Sequence, residues 1–245
     1  ETIRDRILYA ILFFAFLMAL MSLIVGHFSI GNTDKLIVDF GLGSINIFGV
    51  IIAIFIGTSL VFKEIDRKTI YLILSKPIDR WEFIIGKFLG LCYTLTIAMA
   101  SVSAFFIGLL FFNGIETSVI INTLFATTML LLELYIVTAF AILFSSVSSP
   151  LLSMLFTLSI WLAGHFNPVM LDLAKFSDSE AILTIANGAH YILPDLSKFN
   201  FKNAINHSHF MIDTTRIFYT LVYACLYTAA VLLLSVIGFS KREFN

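Results

Sequence analysis

The chain has 245 residues, of which 59% are hydrophobic, 15% aromatic and only 13% charged. Soluble domains carry about 25% charged and 45–50% apolar residues, so this composition belongs to a membrane-embedded protein. A formal net charge of −1 leaves no basic excess to neutralise phosphates, which counts against nucleic acid as a partner, and 26 Phe with only 4 Pro exclude disordered and collagen-like classes.

A helix crossing about 30 Å of hydrocarbon needs about 20 mostly apolar residues. Six such stretches are expected, at 7–26, 44–62, 83–112, 119–144, 148–164 and 217–239. The whole chain, 1–245, then reads as one all-α integral membrane domain. Glu1 is not an initiator methionine, so residues before it are expected to be missing or processed. The first stretch is too long for a signal peptide and lacks a small-residue cleavage site. It is followed by a Gly-rich loop expected over 27–43 and then by the second span.

The stretch 63–75, KEIDRKTIYLILS, can continue that span into the cytoplasm, with Glu64 and Lys68 as an i,i+4 pair and no Gly or Pro before Pro77 stops it. Asp79 with Glu82 three residues later forms a capping box that starts the third span. Trp81 belongs at the lipid interface, and Lys87 can snorkel to it. A stiff helix, turn, helix unit results, with an apolar ridge of Ile70, Ile73 and Leu74 beside charges. The plain reading of such a loop is an anchor for the inner bilayer face.

Asn113-Gly114 marks a tight turn into the fourth span, which carries Glu133, the one ionisable residue deep in an apolar stretch. A charge there costs about 2.5–3.5 kcal/mol on insertion scales, so Glu133 must face protein or water, or be protonated. The plain reading is a neutral carboxyl bonded to Tyr, Ser or Thr of a neighbouring helix; the functional one is a contact on a translocation path. Thr127, Thr128, Tyr135 and Thr138 share its helix, and Thr94, Thr96, Ser101 and Ser103 lie on the third. Such hydroxyls bond the backbone or knit helices more often than they line a path.

Ser148, Ser149 and Pro150 can open the fifth span, since proline is tolerated in a first helical turn. The stretch 165–215 is too polar to span and is expected as a large outer loop holding a short surface or re-entrant helix. Ser177 and Glu180 would cap that helix, and Asn187-Gly188 would end it in a left-handed conformation. Histidines 27, 165, 190, 207 and 209 all map to this side; His207 and His209 are a weak two-ligand metal candidate. Cys92 and Cys225 fall in apolar runs and read as packed hydrophobes.

Orientation follows from Lys and Arg. With both termini cytoplasmic, ten of the fifteen lie inside and five outside, and Lys35, Lys175, Lys198, Lys202 and Arg216 are the outer set. The expected plan is therefore six spans, a cytoplasmic segment between the second and third, and one large outer loop between the fifth and sixth.

The run Glu64, Thr69, Leu74, Ser75, Pro77, Arg80, Glu82, Gly86 and Lys87 resembles the signature of ABC type-2 transporter permeases. There a Glu after the second span is followed by a Thr, a Leu-Ser-x-Pro turn, an Arg-x-Glu pair and a Gly-Lys entering the third span. The likeness extends to SSVSSP before the fifth span and to ILPDLSKFNFK in the outer loop. Its closest flavour is the branch that includes the membrane subunit of the nitrous-oxide-reductase maturation transporter. Lys68 departs from the glycine common in relatives, and the N-terminal elbow helix is reduced to 1–6.

The resemblance implies that 63–82 is a coupling helix, with Glu64, Asp66, Arg67, Thr69, Ile70, Leu74, Pro77, Arg80 and Glu82 meeting an ATPase. It also implies two copies of that ATPase, ATP and Mg held there and not in this chain, a second copy of this permease, a bacterial inner membrane and export. The sequence itself has no phosphate-cradling G-x-x-x-x-G-K-[ST]: Gly86-Lys87 precedes Phe88, and Trp81 stands where the first Gly belongs. No H-E-x-x-H or G-x-S-x-G occurs, so the chain is not expected to be an enzyme by itself. Two other readings compete: an ion-coupled secondary transporter or channel using Glu133, and an ATPase-driven scaffold that works on an outer accessory protein.

Overall fold

A computed structural model describes residues 6–27, 33–66, 80–176, 180–201 and 214–240, and the described residues are all helical or loop. In chain order they form α1 (Arg6–His27), α2 (Thr33–Asp66), α3 (Arg80–Phe112), α4 (Thr117–Val147), α5 (Pro150–Lys175), α6 (Glu180–Ile192), a 3-10 turn (Leu196–Phe199) and α7 (Thr214–Ser240). Five helices, α2, α3, α4, α5 and α7, are long and apolar enough to cross a membrane. In α1 the apolar stretch Ile11–Ile24 is shorter. The protein is a multi-pass membrane protein.

Helix α4 is the hub, packed against α2, α3, α5, α7 and the 3-10 turn. Its apolar side chains are buried on most sides, whereas α5 and α7 keep broad exposed apolar faces. Close approach to the hub depends on small residues, as is usual where lipid offers no hydrophobic drive for helix association. A Cβ added at Gly57 of α2 would lie 2.7 Å from that of Ala141 on α4, and one at Gly49 would lie 2.6 Å from Leu134 Cδ1.

Two expected loops are helix instead. The second helix starts at Thr33, so 33–43 is not a Gly-rich loop; Gly41 faces the buried Phe106 ring, and packing outweighs its poor helix propensity. The fifth helix runs on past Gly164 to Lys175, through Pro168. Proline removes one backbone donor there, but Asn167 Nδ2 ties this extension to the end of α6, donating to His190 O at 3.4 Å and to Leu193 O, one residue past the helix, at 3.1 Å. The large outer loop is thereby shortened from 165–215 to the chain after Lys175.

The short helix expected after the fifth span exists as α6, but Asn187-Gly188 does not end it. It continues to Ile192 because Pro194, which disfavours α conformation in the residue before it, supplies the stop. At 13 residues, about 20 Å, α6 cannot cross the bilayer. The cap expected at Ser177 lies outside the described residues.

Other turns are as expected. Gly114 has φ +71°, Gly114 N–H donates to Phe111 O at 3.1 Å and Ile115 N–H to Leu110 O at 3.2 Å. This is a Schellman motif, with Ile115 and Leu110 both buried beneath it. Between α4 and α5, Ser148 Oγ donates to Phe144 O at 2.9 Å, and Pro150 opens α5.

Candidate functional site

Helices α2 and α3 frame the expected coupling segment. Glu64 and Asp66 lie on the last turn of α2, Arg80 opens α3, and Glu82 sits in its first turn. Arg67, Thr69, Ile70, Leu74 and Pro77 fall outside the described residues. Trp81 is 49% exposed, as suits an interfacial ring. One turn on, Phe83 stacks on Phe239 of α7 at 5.7 Å between centroids, and Lys87 Nζ lies 5.6 Å from the Phe83 ring. At the same end, a Cβ on Gly238 would be 3.2 Å from Val147 at the end of α4. The start of α3 is thus welded to the ends of α4 and α7.

Midway along the hub, Glu133 is fully buried. Its Oε1 accepts a hydrogen bond from Trp161 Nε1 at 2.9 Å, and His165 Nε2 lies 3.7 Å from the same oxygen. Trp161 and His165 are one turn apart on α5, their rings 5.0 Å apart, and His165 Nδ1 is 3.2 Å from Trp161 O. An indole and an imidazole of α5 are thus among its partners, beside the Tyr, Ser or Thr hydroxyls considered from the sequence. Sequence reasoning missed this pair because it ended the fifth span at Gly164 and put His165 in a loop. The signal was available: Trp161 and His165 have i,i+4 spacing and share a helix face.

Glu133 lies 14 residues from the C-terminal end of α4, about 21 Å along the helix from the α3–α7 weld. The structure does not bring it near Glu64, Asp66, Arg80 or Glu82. Nearby hydroxyls bond carbonyls of their own helices: Thr138 to Leu134 O at 2.7 Å, Thr127 to Leu124 O at 2.8 Å and Thr94 to Gly90 O at 3.0 Å. Thr96 and Tyr135 join α3 to α4 by a 2.7 Å bond between hydroxyls. Asn46 of α2, also missed, is buried within the helix bundle.

At the other end of the bundle the stretch 192–201, ILPDLSKFNF, forms a wedge. Leu196, Phe199 and Phe201 are buried, and Gly164 seats the wedge, since a Cβ there would be 2.8 Å from Leu196 Cγ. Asp195 N–H donates to Tyr223 Oη at 2.8 Å and Tyr227 Oη to Ile192 O at 2.9 Å, which fastens the wedge to α7. His190 Nδ1 pairs with Asn167 Oδ1 at 2.7 Å. Among the described residues no three His, Cys, Asp or Glu side chains gather as a metal site. His207 and His209 lie outside the described residues.

The family model described as "ABC-2 family transporter protein" matches residues 1–244. The chain belongs to the ABC-2 transporter family. Comparison with curated proteins gave no match. Members of this family are membrane components of ABC transporters, not themselves catalytic, and generally work with an ABC ATPase. The match is to the family and does not reach the nitrous-oxide-reductase maturation branch.

Proposed function

We propose that this ABC-2 family chain is the permease subunit of an ATP-driven exporter in a bacterial inner membrane. It crosses six times with both termini cytoplasmic, pairs with a second copy, and is driven by two ATPase subunits that hold ATP and Mg. The observation that carries this reading is the pair of long helices flanking 67–79 within a whole-chain family match. Helices of 34 and 33 residues are about 50 Å long, well beyond the hydrocarbon core. A push on 63–82 from closing ATPases therefore travels along α2 and α3 as levers, against the hub α4. The narrower kinship with the nitrous-oxide-reductase maturation branch rests on the signature at 64–87 and the wedge, and belongs to the same proposal.

The wedge favours a second reading, an ATPase-driven scaffold that moves an outer accessory protein. Its bonds to α7 and its seat on Gly164 tie the outer segment to the moving helices. Family membership argues against the ion-coupled carrier, which needs no ATPase-coupling segment.

The test is purification of the chain from its native membrane in mild detergent, with 64–80 intact or scrambled. An ABC ATPase should co-purify only with the intact segment. In the assembled complex, Glu64→Ala or Arg80→Ala should lower coupled ATPase activity several-fold while insertion stays normal; unchanged coupling would refute the lever role.

A further inference from the structure

A cavity of about 620 Å³ opens between the 3-10 turn and the first two turns of α7. Lys198, Thr215, Arg216, Tyr219, Thr220 and Tyr223 line it. Its size is that of a pocket for a small organic ligand and is far larger than one inorganic ion needs. We propose that it binds a phosphate-bearing anion, the headgroup of a phospholipid in the surrounding leaflet.

Charge is the first reason. Two cations face one cavity, and among the described residues an ion pair is made by only one of them: Lys198 Nζ is 3.5 Å from Asp195 Oδ2. Both cations are held by aromatic faces, Lys198 Nζ at 4.4 Å from the Tyr223 centroid and Arg216 Cζ at 5.0 Å from that of Phe201. A guanidinium lying over a ring engages it without a hydrogen bond, so its N–H donors can make a bidentate bond to phosphate. Tyr223 Oη already accepts from Asp195 N–H, so its own proton is oriented away from that bond and can be donated.

Location is the second reason. The cavity sits at the terminal turns of a membrane-crossing helix, where headgroups lie, and on the proposed orientation this is the outer leaflet. Next to it, Phe218 and Tyr219 are 62% and 67% exposed, and Val222 and Leu226 continue an exposed apolar strip down α7. A headgroup in the cavity would lay its acyl chains along that strip. A free phosphate would leave the strip and most of the volume unused. The proposal does not depend on the ATPase-coupling reading.

The full-length protein in uncharged detergent, titrated with short-chain phosphatidylglycerol and followed by thermal stability and native mass spectrometry, tests it. Saturable binding should weaken about tenfold or more in Arg216→Gln and in Lys198→Gln, the effect of losing one charge-assisted bond. Arg216→Lys should retain part of the affinity. Lys175→Gln, on the same side but outside the cavity, should change nothing. Inorganic phosphate is the second probe: if it alone saturates with the same losses, the anion site stands and the lipid source is overturned. If neither probe saturates, or if folded Arg216→Gln and Lys198→Gln bind as the parent does, the site is overturned.

Discussion

Replacing Glu133 separates a packing role from a transport role. Its Oε1 accepts an interhelical bond from Trp161 Nε1 at 2.9 Å in a fully buried setting between α4 and α5. Glu133→Gln keeps an oxygen acceptor of nearly the same shape at that place. Glu133→Leu removes the acceptor and strands the indole N–H. Interhelical hydrogen bonds in membranes average about 0.6 kcal/mol in double-mutant cycles and reach about 1.7, and a stranded buried donor costs about 1–3 kcal/mol. At this chain length 1 kcal/mol corresponds to about 2–4 °C in Tm. Glu133→Gln should thus stay within about 3 °C of the parent, whereas Glu133→Leu should lose roughly 2–12 °C. Trp161→Phe should remove most of the difference between the two, since it deletes the donor they compete to satisfy. Thermal unfolding in detergent reads all of this, and coupled ATPase or transport activity of the complex is measured alongside. If Glu133→Gln abolishes transport with an unchanged Tm, the packing role is wrong and Glu133 belongs to the path.

Glycine replacements should diverge in sign. Gly57→Ala places a Cβ 2.7 Å from Ala141 and should destabilise by about 1–3 kcal/mol through overpacking, while Gly108→Ala meets nothing within 4 Å and should gain up to about 1 kcal/mol in helix propensity. Equal Tm shifts in the two would contradict the close α2–α4 approach. Gly164→Ala would meet Leu196 and the Pro194 carbonyl at 2.8–2.9 Å, so it should loosen the wedge and raise amide exchange over the 3-10 turn. Exchange equal to the parent's would mean the wedge is not seated there.

Much of this protein is legible from its residues alone because the bilayer forces the issue. Without water, backbone groups must bond within a helix, so apolar runs at 83–112 and 119–144 could become little else, and they match α3 and α4 closely. Local turn chemistry is equally readable: Asn113-Gly114 and the Ser-Ser-Pro before α5 specify their geometry within a few residues. The family signature at 64–87 is likewise a linear feature.

Tertiary packing decided the rest. Gly41, Asn187-Gly188 and Pro168 carry breaker signals, yet each lies inside a helix, because contacts across helices or a later proline outweigh a local preference of about 1–3 kcal/mol. Which helix becomes the hub cannot be read from hydropathy, since α4 and α7 are equally apolar and only one is surrounded by protein. Glu133 meets Trp161 from 28 positions away, and Lys198 shares a cavity with Arg216 from 18 positions away. Both arrangements depend on how α4, α5, α7 and the wedge pack, and that is set by shape in three dimensions, where hydrophobic pattern along the chain carries no instruction.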